Sequence, residues 1–158
     1  MPDLSCGTAE IPVAQPAPPP AGTRLTRDEY GHALAVTVSR PAACTRRQVG
    51  AVVLDAHKRI AGTGYNGTRS GAVHCTDGGC PRGAFSYDQI PGRLGNRGHD
   101  VPCVADHAER NAITEALERG AHLPSCTLYV TCEPCPDCAR LASGVGLGRV
   151  LWPGSDPG

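Results

Sequence analysis

Apolar residues recur along this chain with two different periods, and the switches between them outline the fold. In T26-R-D-E29, a threonine followed three residues later by glutamate reads as a capping box that opens a helix. Tyr30, Ala33, Leu34 and Val38 give that helix an apolar face, and Pro41 ends it. The unbroken run V49-G-A-V-V-L54 has the pattern of a buried strand. After the polar turn D55-A-H-K58, the stretch R59-I-A-G-T-G-Y65 completes a hairpin. Helical spacing returns in A105-D-H-A-E-R-N-A-I-T-E-A-L-E-R-G120, through Ala108, Ala112, Ile113, Ala116 and Leu117, with Gly120 as the stop signal. T127-L-Y-V-T131 reads as a strand, and a helix follows from near Pro134 past Cys138, with Pro136 tolerated in its first turn. R149-V-L-W152 is a last short strand. Strands alternating with helices after an opening hairpin predict an α/β sheet covered by helices.

Two stretches have no such period. Residues 1–24 are Pro/Ala-rich and unsuited to a core, which predicts a disordered or polyproline-like tail ahead of a single domain over 25–158. From Asn66 to about Pro102 the chain is rich in Gly, Cys, His and Arg. A loop that long within a compact domain is generally functional or tied down by metal.

Composition narrows the class. Lys and Arg number 15 against 15 Asp and Glu, and aromatic residues make up 4%. A nucleic-acid polymer needs a basic face and stacking rings, so this balance argues against one as partner. No apolar run has the length of a membrane helix, and no charged segment precedes an apolar one at the start of the chain, which predicts a cytoplasmic protein. Nine cysteines in a reducing compartment point to metal binding or chemistry rather than disulfides.

The densest cysteines lie in T131-C-E-P-C-P-D-C-A139. Cys135 and Cys138, three apart at a helix start, aim their sulfurs alike, and a helix N-terminus favours the thiolates that zinc requires. A closed structural site commonly draws on a second, separate Cys-x-x-Cys, and none stands elsewhere in the chain; Cys132 overlaps the first from a strand end. His107, in the first turn of the other amphipathic helix, can complete three ligands if the two helices lie side by side. Glu109, two residues on, points differently and reaches the open fourth position instead. Three protein ligands with an open position lower the pKa of a bound water from 15.7 to about 7, and a neighbouring carboxylate can move its proton. A His-x-Glu followed downstream by Pro-Cys-x-x-Cys is the signature of zinc deaminases. A zinc-stabilised binding module without chemistry is the alternative, and Glu109 discriminates, since a structural site has no use for a proton shuttle.

The blocks C44-T-R-R-Q-V-G-A-V-V53, G64-Y-N-G67, V73-H-C75, H107-A-E-R-N-A-I113 and L128-Y-V-T131 closely resemble those of deoxycytidylate (dCMP) deaminases, within the cytidine deaminase-like superfamily. The resemblance runs from about Tyr30 to Val150. It implies a three-layer α/β/α fold with a mixed sheet of about four to five strands. It also implies zinc-dependent hydrolytic deamination of a cytosine nucleotide, dCMP to dUMP and ammonia, with His107, Cys135 and Cys138 as ligands and Glu109 as proton shuttle. Backbone groups at Ala108 and Cys135 would hold the base, Val49 would line its pocket and Asn66 would touch the sugar. Arg46, Arg47 and Arg69 are candidates for the 5′-phosphate on charge and position. Family likeness further implies a second, structural zinc on Cys44 and Cys75, completed by Cys80 and Cys103, with His74 and His99 in reserve. The partner is then a small nucleotide, and a homo-oligomer is expected. The motif T-C-E-P-C is shared with deaminases of tRNA adenosine, guanine and free cytosine, which keeps other bases, modified cytosine nucleosides and single-stranded nucleic acid open as substrates.

Overall fold

The structure, a computed structural model, describes residues 22–86, 88–90 and 101–155. Most of the proline-rich stretch, as well as Cys6 and His99, lies outside the described residues. The element order is α1 (Arg27–Ser39), β1 (Gly50–Leu54), β2 (Ile60–Tyr65), α2 (Ala108–Glu118), β3 (Thr127–Val130), α3 (Pro136–Gly144) and β4 (Arg149–Leu151). The strands form one four-stranded sheet in the order β2-β1-β3-β4. β1 runs antiparallel to both neighbours, while β3 and β4 are parallel.

Alternation along β1 and β3 divides the core into two layers. Ala51, Val53, Leu128 and Val130 meet Ala108, Ala112 and Ile113 of α2 and Ala142 of α3 on one face. Val52, Leu54 and Tyr129 meet Ala35 of α1 on the other. The two central strands are buried on both faces, which is why β1 reads as an unbroken apolar run.

Local signals set the element ends. Thr26 caps α1 with the reciprocal box, its hydroxyl accepting from Glu29 N–H at 3.2 Å while the Glu29 carboxylate accepts from Thr26 N–H at 2.7 Å. In the hairpin turn the Asp55 carboxylate accepts the His57 and Arg59 amides, and Lys58 takes φ 65°. Gly120, just past the end of α2, adopts φ +73°.

The contact face of α1 overlaps the expected one in part: Leu34 and Val38 pack against the layer formed by Val52, Leu54 and Tyr129, but the centre of the seam is shifted. The helix's buried positions are Gly31, Ala35 and Ser39, and Tyr30 is exposed. The reason is proximity: a Cβ on Gly31 would lie 2.5 Å from the Tyr129 ring, and one on Gly50 would lie 2.1 Å from Ala35 O. A helix this close to a sheet contacts it through its smallest side chains, so hydrophobicity alone misplaces the seam. Leu117 on α2 is likewise exposed, because that helix packs through Ala108, Ala112 and Ala116.

The long connection before α2 contains two short 3-10 turns, Cys75–Asp77 and Pro81–Ala84. Arginines hold it from both sides. The Arg46 guanidinium donates to the carbonyls of Phe85 and Ile90, and buried Arg82 donates through Nε to Val101 O at 2.8 Å. Thr45 Oγ1 adds a bond to Gly83 O at 2.9 Å.

Candidate active site

Both α2 and α3 stand on the same face of the sheet with their N-termini together, and His107 and Cys135 are the N-cap residues of the two helices. Neither has a side-chain capping bond, so ring and thiol are turned toward each other instead. His107 Nδ1 lies 3.5 Å from Cys135 Sγ and 3.3 Å from Cys138 Sγ. The three donor atoms all fall within 4.8 Å of one another. Ligands at ordinary zinc distances, tetrahedrally placed, would put nitrogen and sulfur roughly 3.6 Å apart, so the residues fit zinc.

Glu109, in the first turn of α2, is 4% exposed. Burial first, then the Glu109 carboxylate and Cys135, push the Cys138 thiol far above its ordinary value. Two thiols and a carboxyl are poor company as anions without a cation among them, and a divalent metal inverts that preference. The site's chemistry therefore asks for a metal, and the carboxylate stands beside it without being needed as a fourth ligand.

The residues expected around the substrate are placed as follows. Asn66 is half-buried; its Oδ1 accepts Val49 N–H at 2.7 Å and its Nδ2 donates to Arg47 O at 2.8 Å. Asn66 thus fixes the segment leading into β1. The next residue, Gly67, exchanges backbone bonds with Asp106, at 3.2 and 2.8 Å, immediately before His107. Ala108 is fully buried, beneath Gly64, whose Cβ would lie 2.3 Å from Ala108 O. Arg47 and Arg69 are exposed. Arg46 is instead engaged with the loop carbonyls, a role that charge and position in sequence did not reveal, because the partners are backbone atoms some 40 residues away.

Cys44, Cys75, Cys80 and Cys103 are neighbours in the second cysteine-rich region, but among the described residues only His107, Cys135 and Cys138 gather three donors within 4.8 Å. Cys80 and Cys103 sulfurs are 3.9 Å apart. Burial, with the neighbouring Cys80, Cys44 and Cys103, pushes the Cys75 thiol up to about 12. His74 is exposed at the N-cap of the first 3-10 turn.

A histidine and two cysteines at paired helix N-termini, with a buried carboxylate alongside on an α/β/α frame, define the class of zinc-dependent deaminases. The chain belongs to the cytidine and deoxycytidylate deaminase family, whose zinc-binding region matches residues 25–152. It is 39% identical to the deoxycytidylate deaminase of Mycobacterium phage D29 over 126 residues, covering 80% of this chain and 93% of that protein. It is 31% identical to the deoxycytidylate deaminase of Enterobacteria phage T4, covering 75% of this chain and 73% of the other. Among solved structures it is similar to the dCMP deaminase of cyanophage S-TIM5 in apo form, with a TM-score of 0.58, 25% identity, and coverage of 82% and 84% of the two chains. No helix among the described residues is long and apolar enough to cross a membrane.

Proposed function

We propose that this enzyme converts dCMP and water to dUMP and ammonia. The observation that carries the reading is Glu109, buried and in contact with Cys138 at a three-donor metal site. Zinc, when bound by His107, Cys135 and Cys138, supplies the Lewis acidity that makes water a nucleophile near neutral pH. Glu109 accepts one proton of the attacking water and delivers it to ring N3, then carries the second proton from the new C4 hydroxyl to the amino nitrogen, so that the C4–N bond breaks to release ammonia as the C4 carbonyl forms. Burial holds this carboxylate at the reacting atoms and keeps bulk water from competing for the proton. Val49 and the backbone at Ala108 and Cys135 bound the base, and Asn66 stands next to the sugar while fixing the Val49 segment.

The choice of dCMP is supported by relatives with that name and by two exposed arginines, Arg47, whose backbone carbonyl accepts from Asn66, and Arg69, three residues beyond Asn66. Arg46, committed to the loop carbonyls, is the weaker phosphate candidate. The second group of cysteines suits a structural zinc: burial and the neighbouring sulfurs push the Cys75 and Cys103 thiols up, against burial the backbone amides and Cys103 hold the Cys80 thiol down, and a cation held among them would staple the Gly-rich loop. Assembly as a homo-oligomer is supported by β4, an edge strand beside a groove lined by Leu147, Val150 and Trp152.

The test compares initial deamination rates for dCMP, CMP, deoxycytidine and cytosine with zinc-loaded protein. A preference for dCMP is expected. Equal rates with dCMP and deoxycytidine would remove the phosphate reading, and turnover of none would move the substrate to another base.

A further inference from the structure

The outer edge of β2 is occupied by side chains from the helix that carries His107 and Glu109. Glu115 Oε2 accepts both the Thr63 N–H, at 2.6 Å, and the Thr63 hydroxyl, at 2.9 Å. Asn111 Nδ2 donates to Tyr65 O at 2.9 Å. Thr63 faces Val52 and Tyr65 faces Gly50 across the hairpin, and β2 is the edge strand of the sheet. An N–H bonded to Glu115 cannot also serve the ladder to β1, so these groups point outward, where a further strand would pair.

The spacing explains the fit. Two residues of strand advance about 6.6 Å, and four residues of helix advance about 6.0 Å. Asn111 and Glu115, four apart on α2, therefore meet Tyr65 and Thr63, two apart on a strand running the opposite way. The polarities are also matched, donor to carbonyl and acceptor to amide. Sideways slip of α2 by one residue would break both. Burial raises the Glu115 carboxyl, but the Thr63 N–H and hydroxyl and the Arg119 guanidinium outweigh it and hold the group below its ordinary value. Arg119 Nη2 sits 2.5 Å from Glu115 Oε1, steadying it from the next turn.

On the adjoining surface α2 rests on Gly62 and Gly64, which have no side chains to key its position. Alanines on glycines slide easily, and the metal site tolerates little sliding, since His107 and Glu109 come from α2 while Cys135 and Cys138 come from α3. We propose that Asn111 and Glu115 are positioning residues: together they set the register of α2 along β2 and so hold His107 and Glu109 against the two cysteines. The proposal rests on the His107, Cys135 and Cys138 zinc site but not on the identity of the nucleotide.

The test uses the full chain with Asn111→Asp, Glu115→Leu and Glu115→Gln, measuring zinc affinity by chelator competition, kcat and KM, and melting temperature of the zinc-free protein. Asn111→Asp keeps the shape but turns a carboxylate on a carbonyl, and Glu115→Leu removes the acceptor. Each is expected to weaken zinc binding about tenfold and to lower kcat roughly 10- to 100-fold with KM little changed, as losses of groups that orient metal ligands and reacting residues do. Glu115→Gln keeps an acceptor for Thr63 and is expected to stay within about threefold of the parent. Unchanged zinc affinity and kcat in Asn111→Asp, or equal losses in Glu115→Leu and Glu115→Gln, would overturn the proposal. Should Asn111→Asp not fold, the Glu115 pair decides. If the parent protein turns over no dCMP, zinc affinity still tests positioning, and only the substrate reading fails.

Discussion

Glu109 shows how much a single residue's surroundings add to its identity. A glutamate in the first turn of a helix ordinarily faces water; this one is 4% exposed and raises the pKa of a neighbouring cysteine. A carboxylate in that position is held where a proton must move, and general acid–base catalysis of this kind contributes typically 10²–10⁴-fold. Glu109→Gln keeps the volume and the metal ligands while removing the proton shuttle. It is expected to retain zinc, measured by metal analysis, and to lose at least about a hundredfold in kcat. Activity within a few fold of the parent would sink the mechanism. Asn66 is the complementary case: both ends of its amide are engaged by the Val49 and Arg47 backbone, so it fixes the segment leading into β1.

At the scale of elements, small residues decide how close the layers come. Gly62 and Gly64 face α2, and Gly31 and Gly50 take part in the seam with α1. A Cβ on Gly64 would stand 2.3 Å from Ala108 O and 2.5 Å from Ala112 N, both backbone atoms that cannot turn aside. Gly64→Ala is therefore expected to destabilise by about 1–3 kcal/mol. A thermal melt should show this as a fall of roughly 2–4 °C for each kcal/mol. Because the clash falls at the first turn of α2, kcat should fall as well. A melt and a rate both matching the parent would mean that the helix has more freedom than the packing implies. The same closeness explains why the sequence located both helices, and placed Leu34 and Val38 against the sheet, yet missed Gly31, Ala35 and Ser39 at the centre of the α1 seam.

For the molecule as a whole, two sulfur clusters lie at two ends of one connection. The first joins α2 to α3; the second joins the segment before β1 to the loop before α2. Arg46 and Arg82 clamp the same loop through carbonyls, so protein contacts fasten it independently of any metal on its cysteines. Metal analysis of the purified chain is expected to find two zinc ions per molecule, and Cys80→Ser is expected to lower this to one while leaving the His107 site loaded. A firm value of one for the parent would remove the four-cysteine site and leave the loop to the two arginines.

By itself the sequence determined the elements and their order, and named the candidate metal ligands and proton shuttle that the fold brings together. Those follow from local rules: a capping box at Thr26 and Glu29, a stop at Gly120, an unbroken apolar run at Gly50–Leu54, and Cys135 and Cys138 three apart at a helix start. The second hairpin strand, read over 59–65 and found over Ile60–Tyr65, and the alanine-rich helix were equally legible. Only the tertiary structure decided which face of α1 meets the sheet, that Arg46 serves the loop, and that Asn111 and Glu115 engage the edge of β2. The physical reason is common to all three. Each depends on backbone groups of a distant segment, and a backbone carbonyl or amide has the same chemistry at every position, so nothing in the side-chain pattern announces which one a residue will meet.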